Sequence, residues 1–186
     1  NAGGANAEGK PDWTSVDSMS AGGNLPSFAD GTIRYIDFDA DRRIDLITST
    51  PALTVVYRND GMGGFTQAPG VQNIGWGFVE DNLELEDMNG DGLADAVLKS
   101  AGVVRYKLNL GRGRWTAEVR IENLTLSDAE LDFADFEDIN GDSLTDLVVV
   151  QGNELRYQLN RNGSAFDPPV TLNQAGADAV PVRSAQ

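Results

Sequence analysis

Hydrophobic and polar residues alternate in short runs along most of the chain, and the runs recur in a fixed order. Segments such as TIRYIDF, ELRYQLN and LVVVQ alternate or cluster apolar residues over five to seven positions, which is typical of β-strands. Turn-forming Gly, Asn and Asp separate these runs, and helical apolar spacing does not extend over any long stretch. The pattern predicts an all-β chain built from hairpins.

The order of runs repeats three times with a period close to 50 residues. Acidic segments begin at Asp37, Asp87 and Asp138, so the repeats are 50 and 51 residues apart. The same register is kept by Asn59, Asn109 and Asn160, by Phe65, Trp115 and Phe166, and by Tyr35, Leu85 and Phe136. Each repeat predicts four strands, with the acidic segment between the first two and the fourth strand beginning at the Phe or Trp. Such a unit every ~50 residues is typical of a β-propeller blade.

The predicted fold class is all-β, a propeller-type array of three four-stranded antiparallel blades that forms a partial propeller or a fragment. We expect an N-terminal flank at 1–31, blade 1 at 32–70, blade 2 at 78–122, blade 3 at 131–172 and a C-terminal tail at 173–186. Closed propellers usually have about four to eight blades. Three blades leave exposed edge strands, which predicts contact with a protein partner or self-association through blade edges.

Composition and charge narrow the kinds of partner. The 186 residues have a formal net charge of −15 and include no cysteine and no histidine. These absences exclude disulfides, zinc sites built on Cys or His, and histidine-dependent catalytic triads. An acidic chain lacks the basic surface that nucleic acid requires, and no stretch is as long and apolar as a membrane helix. We therefore expect neither a nucleic-acid partner nor a membrane span.

The negative charge is concentrated in three segments, which we name loop 1 (37–45), loop 2 (87–95) and loop 3 (138–146). They contain ten of the 29 acidic residues, and the remaining 19 face 14 basic residues in the whole chain. Carboxylate and amide oxygens at loop positions 1, 3, 5 and 9, with a main-chain carbonyl at position 7, match the ligands of a hard divalent cation. Oxygen ligands alone disfavour zinc and copper, and magnesium prefers to keep several waters. The pattern predicts about three Ca²⁺ sites.

The predicted ligands follow the same positions in all three loops. They are Asp37, Asp39, Asp41, Arg43 and Asp45 in loop 1, Asp87, Asn89, Asp91, Leu93 and Asp95 in loop 2, and Asp138, Asn140, Asp142, Leu144 and Asp146 in loop 3. Of these, Arg43, Leu93 and Leu144 would offer only their main-chain carbonyls.

Three other interpretations use similar residues. An EF-hand needs Glu at position 12 and flanking helices, whereas Thr48, Leu98 and Val149 stand there in a β context. A dockerin has a repeat about half as long, and each of its loops precedes a helix. A turn held by Asp and Asn hydrogen bonds needs no metal at all, although its threefold recurrence in register favours calcium. Loop 1 is the weakest site because Arg42 stands at position 6, which often requires a positive φ.

These features resemble the FG-GAP/VCBS repeat, the calcium-binding propeller blade of integrin α-subunit heads and many bacterial exported proteins. The resemblance covers about residues 32–172 and depends on D-x-[DN]-x-D-x-x-x-D followed by alternating apolar residues. It implies Ca²⁺ in loops between the first two strands of each blade. The stretches RYKLNLGRGRW and RYQLNRNGSAFDPPVTL also resemble propeller repeats of bacterial toxin-complex B components and SpvB-like proteins.

The sequence therefore predicts a calcium-stabilised, non-enzymatic propeller module that mediates protein–protein contact or assembly in an extracellular or cell-surface protein. An enzyme is disfavoured because repeated loops account for the clustered carboxylates, and an active site seldom occurs three times in one chain. Two alternatives stay open, a lectin-like module that binds a glycan and a structural shell segment of a bacterial toxin-complex protein. No residue pattern identifies the ligand.

Overall fold

The computed structural model describes residues 20–21, 31–122, 124–161, 163 and 165–173. The predicted N-terminal flank and C-terminal tail lie almost wholly outside these residues. The described residues form three sheets with the four antiparallel strands of a blade, a two-stranded ribbon and one short 3₁₀ helix, Asp128–Phe133. The all-β, blade-type fold predicted from the sequence is confirmed.

The strands follow one another along the chain in the order the repeats predict. The first sheet has the spatial order β1-β5-β4-β3-β2, with β1 Ser20–Ala21, β2 Ile33–Ile36, β3 Asp45–Ser49, β4 Thr54–Asn59 and β5 Gly64–Gln67. The second sheet contains β6 Glu84–Glu86, β7 Asp95–Ser100, β8 Val103–Lys107 and β9 Val119–Glu122, in that order. The third contains β10 Ala134–Glu137, β11 Asp146–Gln151, β12 Glu154–Gln158 and β15 Val170–Asn173, and the ribbon joins β13 Asn160–Arg161 to β14 Ala165–Phe166.

The first sheet contains one strand more than the four that the sequence predicts. Ser20 and Ala21 pair in parallel with Gly64 and Phe65, so β1 extends the sheet beyond β5. Both residues lie in the segment 1–31, which the sequence predicts to be an N-terminal flank.

The fourth strand of the sheet contains the repeated aromatic residue only in the first sheet. There Phe65 lies in β5, but in the second sheet the strand begins at Val119 rather than Trp115, and in the third at Val170 rather than Phe166. The main-chain N–H of Trp115 donates to the side chain of Gln72 instead of to the sheet. Pro168 and Pro169 have no N–H to donate, so a ladder cannot run through them.

The chain forms two compact units. Unit 1 comprises Asn1–Leu83 and Leu110–Trp115, and unit 2 comprises Glu84–Asn109 and Thr116–Gln186. In unit 1 the buried residues Ile33, Leu46, Tyr57 and Phe65 pack on one face of the first sheet. In unit 2 one core joins the second and third sheets, and it contains Met88, Val97, Val104, Tyr106, Ile121, Leu124, Leu126, Ala134, Phe136, Leu147 and Val149. The alternating apolar positions of the strands therefore form the cores, as period-2 patterning requires.

Candidate metal centres

Each acidic loop joins the first and second long strands of its sheet. Loop 1 connects β2 to β3, loop 2 connects β6 to β7, and loop 3 connects β10 to β11. Position 9 of every loop is the first residue of the second strand, which places its side chain at the buried end of the turn. The repeat therefore puts the same set of oxygens at the same point of three sheets.

The carboxylate at position 1 organises the turn by accepting main-chain N–H groups. In loop 2, Asp87 accepts from Gly90 at 2.8 Å, from Asp91 at 3.2 Å and from Gly92 at 2.7 Å. Asp138 accepts the equivalent three bonds in loop 3, and Asp37 accepts two in loop 1, from Asp41 and Arg42. The hydrogen bonds of the metal-free interpretation are thus present in all three loops.

Positions 4 and 6 of every loop have positive φ. The φ values are 60° at Ala40, 66° at Arg42, 75° at Gly90, 83° at Gly92, 79° at Gly141 and 72° at Ser143. Glycine adopts this region freely, whereas a side chain with a Cβ is strained there. Loop 1 therefore keeps the geometry of loop 2 although it lacks both glycines, at a cost in backbone strain.

Position 9 is a buried aspartate that ties the loop to the third strand. The carboxylate of Asp95 accepts the N–H of Met88 at 3.0 Å and the N–H of Asn109 at 2.7 Å. Asp45 and Asp146 make the same two bonds in their repeats. Burial, together with the neighbouring carboxylates of Asp91 and Asp87, raises the pKa of Asp95 to about 7, although the two N–H donors act to lower it. Burial also raises the pKa of Asp45 and Asp146.

The repeated asparagine, which lies at the end of the third strand or two residues beyond it, completes this connection. The side-chain amide of Asn59 donates to the carbonyl of Ile44, that of Asn109 to Ala94, and that of Asn160 to Thr145, at 3.1, 3.2 and 3.1 Å. The sequence shows the register of these asparagines but does not indicate their role. Their invariant spacing from position 9 was the signal, because a fixed offset across a hairpin indicates a cross-strand contact.

Within the described part of the chain, loop 1 contains three carboxylates whose oxygens are close enough together to bind one cation. Asp37, Asp39 and Asp45 each place one oxygen within 4.8 Å of the other two. Oδ1 of Asp39 is buried and has no hydrogen-bond partner, whereas Oδ2 pairs with Arg58 at 3.1 Å. A buried carboxylate oxygen without a donor is costly, and a hard cation would satisfy it. The residues present therefore fit Ca²⁺.

The carboxylate at position 5 is directed elsewhere in all three loops. Asp41 accepts hydrogen bonds from Nε and Nη2 of Arg43, with Nε at 2.9 Å, and this guanidinium holds its pKa below the ordinary value. In loops 2 and 3 the amide of Asn89 donates to Asp91 at 3.0 Å, and that of Asn140 donates to Asp142 at 2.9 Å. To bind a cation, the carboxylate at position 5 would have to give up these hydrogen bonds.

Position 7 takes part in the turn through its main chain. The N–H groups of Arg43, Leu93 and Leu144 each donate to the carboxylate at position 5, at 2.9 Å in every loop. That their carbonyl oxygens are metal ligands remains a prediction.

Arg58, which pairs with Asp39, was missed by sequence reasoning. Leu108 and Leu159 occupy the equivalent position in the other repeats, so no periodic signal marks it.

Loops 2 and 3 are neighbours within unit 2. The hydroxyl of Thr145 donates to the carbonyl of Asp87 at 2.7 Å, and the amide of Asn160 donates to the carbonyl of Met88 at 3.1 Å. A Cβ added to Gly90 would lie 3.1 Å from the carbonyl oxygen of Ser143, so a side chain there would crowd loop 3. These contacts connect the ends of the two loops directly.

Known proteins share parts of this arrangement. Residues 37–98, which span loops 1 and 2, match the family model described as an FG-GAP-like repeat. The resemblance to FG-GAP repeats inferred from the sequence is therefore confirmed over that range. No curated protein sequence matches the chain.

Two solved structures resemble the chain more widely. The Photorhabdus luminescens Tc holotoxin pore, solved with a mutation in TccC3, matches 86% of this chain at 26% identity with a TM-score of 0.69. An Agrocybe aegerita lectin that recognises non-reducing terminal N-acetylglucosamine matches 77% of this chain at 22% identity with a TM-score of 0.56, which shows the fold alone. This chain spans 8% of the first protein's chain and 39% of the lectin's.

Within the described residues, no helix has the length and apolar character needed to cross a membrane.

Proposed function

We propose that the chain is a calcium-stabilised, non-enzymatic propeller module that makes protein–protein contacts in the assembly of an exported or cell-surface protein. The observation that supports it most strongly is the recurrence of one oxygen-rich turn, with the same hydrogen bonds, at the same point of three sheets. A catalytic centre seldom recurs in this way, whereas a stabilising ion site naturally does.

Calcium is the cation that these turns favour. Their predicted ligand atoms are all oxygens, and the Asp37, Asp39 and Asp45 cluster includes an oxygen without a donor. Ca²⁺ takes six to eight oxygens in a flexible arrangement, whereas Mg²⁺ demands a strict octahedron. The ion would neutralise carboxylates that the fold holds close together, and so would stabilise the turn that joins the first two strands.

The expected stabilisation is large enough to matter. A site with Kd near ~10⁻⁴ M in ~1 mM calcium contributes about 1.4 kcal/mol to the free energy of unfolding. Three such sites contribute about 4 kcal/mol, against a total of ~5–15 kcal/mol for an ordinary domain. Sites this weak are filled only where calcium is plentiful, which agrees with the proposed location outside the cell.

The role in assembly is supported by the Tc holotoxin pore. That similarity extends over 86% of this chain, far beyond the acidic loops, while this chain is equivalent to only 8% of the other. A segment of this kind within a large complex has protein surfaces as its neighbours. We therefore place a structural role in a toxin-complex-like protein ahead of glycan binding.

Calcium removal tests the proposal. We expect the melting temperature, followed by circular dichroism, to rise by several degrees between excess chelator and about 1 mM Ca²⁺, and to rise less with Mg²⁺. D39N should remove part of the calcium-dependent shift. D132N changes the same charge on an exposed residue outside the loops and should leave the shift intact.

Identical melting curves in chelator and in calcium would overturn the calcium part of the proposal. Carbohydrate binding is decided separately, because a reproducible ligand on a glycan array would favour the lectin-like alternative.

A further inference from the structure

Loops 2 and 3 each contain an Asn followed directly by a Gly, at loop positions 3 and 4. The pairs are Asn89-Gly90 and Asn140-Gly141, whereas loop 1 has Asp39 and Ala40 in their place. The main-chain nitrogen of a residue that follows Asn can attack the side-chain carbon Cγ and close a five-membered succinimide ring. Glycine favours this attack because it has no Cβ to obstruct it and its backbone is conformationally free. Both loops therefore contain a dipeptide that is prone to lose its side-chain amide.

The fold of loop 2 orients the side chain of Asn89 for this attack. Its Oδ1 accepts the main-chain N–H of Asp91 at 3.1 Å, and its Nδ2 donates to the carboxylate of Asp91 at 3.0 Å. The first bond closes an Asx turn, which folds the side chain back over its own peptide bond and brings Cγ towards the nitrogen of Gly90. The N–H of Asp91 also stabilises the negative charge that develops on Oδ1 when Cγ is attacked.

A carboxylate faces the proton of the attacking nitrogen. The N–H of Gly90 donates to Oδ1 of Asp87 at 2.8 Å, so the group that must lose a proton already contacts an acceptor for it. Gly90 is exposed and Asn89 is half-buried, so water can reach the ring once it has formed. Loop 2 thus combines a nucleophile, a polarised carbonyl and a proton acceptor within four consecutive residues and the N–H that follows them.

Loop 3 repeats this arrangement. Oδ1 of Asn140 accepts the N–H of Asp142 at 2.8 Å, and Nδ2 of Asn140 donates to the carboxylate of Asp142 at 2.9 Å. The N–H of Gly141 donates to Oδ1 of Asp138 at 2.7 Å. Asn140 and Gly141 are both exposed. The reactive geometry therefore belongs to the repeated turn and not to one loop.

We propose that Asn89 and Asn140 are sites of spontaneous deamidation, in which the aspartate at position 1 of each loop accepts the proton of the attacking nitrogen. A bond forms between the glycine nitrogen and Cγ, the bond between Cγ and Nδ2 breaks, and Nδ2 leaves as ammonia with the proton that the glycine N–H has lost. Water then opens the ring at either carbonyl. Attack at the former side-chain carbonyl gives aspartate, and attack at the main-chain carbonyl gives isoaspartate.

The two products change the loops in opposite ways. Aspartate gives position 3 the carboxylate that loop 1 already has at Asp39, where it lies close to Asp37 and Asp45. Isoaspartate carries the main chain through the side chain and lengthens it by a methylene group, which shifts positions 5, 7 and 9 relative to position 1. Deamidation therefore either converts a loop to the acidic composition of loop 1 or breaks the spacing of the turn.

A third Asn-Gly pair, Asn162-Gly163, is an internal reference. The N–H of Gly163 donates to the amide oxygen of Asn160 at 2.9 Å and not to a carboxylate, and Gly163 is buried. The chain is incubated at neutral pH in excess chelator, and peptide mapping by mass spectrometry follows the conversion of each amide to a carboxyl group. We expect Asn89 and Asn140 to react at least about tenfold faster than Asn162 in the folded chain.

The same comparison in urea separates the effect of the fold from that of the dipeptide. The three pairs should react at similar rates there, because only the local sequence then acts. A difference that persists in urea, or an Asn162 that reacts as fast as the other two in the folded chain, would overturn the inference.

Substitution of the proton acceptor tests the role of the carboxylate in each loop separately. D87N keeps a hydrogen-bond acceptor beside Gly90 but removes the charge, so it should slow the reaction of Asn89 at least about tenfold and leave that of Asn140 unchanged. D138N should have the reverse effect, so each variant is the control for the other, with circular dichroism to show that both are folded. An unchanged or faster reaction of Asn89 in D87N would show that the carboxylate only restrains the loop, and would overturn the inference.

Calcium distinguishes this inference from the proposed function. If loops 2 and 3 bind Ca²⁺, about 1 mM of the ion should slow both reactions, because it engages the oxygens at positions 1 and 3. Equal rates with and without calcium would contradict the cation sites of these two loops and leave the deamidation of Asn89 and Asn140 unaffected.

Discussion

At the scale of single residues, loop 1 keeps the backbone conformation of loop 2 although it lacks the two glycines. Arg42 has φ 66° and Ser143 has φ 72°, at the position where loop 2 has Gly92. The surrounding hydrogen bonds hold this geometry, since the N–H groups of Arg42 and Ser143 both donate to the aspartate at position 1. The other contacts of the turn therefore hold these residues in a strained backbone conformation.

Replacing Arg42 tests this strain directly. We expect R42G to be more stable than R42A by about 1 kcal/mol, because both variants lose the same side chain but only glycine relaxes the positive φ. Urea denaturation in chelator measures the difference without a contribution from metal. Equal stability of the two variants would show that the backbone is not strained at Arg42.

The repeated asparagine gives a second comparison between matched positions. Asn160 is buried and makes three side-chain hydrogen bonds, to Met88, Thr145 and Gly163, whereas the side chain of Asn59 bonds Ile44 and Gly61 at a more exposed site. N160A should therefore lower the free energy of unfolding by about 3 kcal/mol and N59A by about 1 kcal/mol. Denaturant titration of both variants measures this difference. A larger loss for N59A would contradict the assigned contacts.

At the scale of elements, the 3₁₀ helix that precedes the third sheet is held by one carboxylate. Glu130 accepts from the hydroxyl and the main-chain N–H of Ser127 at 2.6 and 2.9 Å, and it pairs with Arg156 of β12 at 2.8 Å. These donors, the Ser127 hydroxyl first, lower the pKa of Glu130 to about 2. The helix is thus attached to the sheet by a charge-assisted network.

This network predicts a pH-dependent contribution to stability. Because the pKa of Glu130 is lower in the folded state than its ordinary value of 4.5, its stabilisation is complete above that value and is lost as the pH falls towards about 2. The difference in unfolding free energy between the native chain and E130Q should therefore be constant near neutral pH and shrink in acid. Denaturant titrations across that range measure it. Parallel profiles for the native chain and E130Q would contradict the assignment.

At the scale of the whole molecule, the three acidic loops connect local charge to overall stability. A chain with a net charge of −15 repels itself, and ten of its acidic residues lie in these loops. Bound cations would reduce this repulsion at the points where each sheet turns. Stability would then follow calcium concentration.

The sequence predicted the repeated framework well because strict spacing reports local structure. The 50- and 51-residue steps located the three loops between the first two strands of each sheet, and alternating apolar residues located most strands. The sequence did not predict features that depend on contacts between residues distant along the chain. The pairing of β1 with β5, the displaced starts of β9 and β15, and the ion pair between Arg58 and Asp39 leave no periodic trace.

What the sequence alone determined is the blade-type fold and the composition of the acidic turns, because strand periodicity and loop chemistry are local properties of a repeat. Only the tertiary structure decided which side chains meet. It brought Asp37, Asp39 and Asp45 together and turned Asp41 towards Arg43. It also buried Ile121 of the second sheet while it left the equivalent Leu172 of the third sheet exposed. The burial of a residue depends on the surface that packs against it, so equivalent residues of similar repeats have different environments.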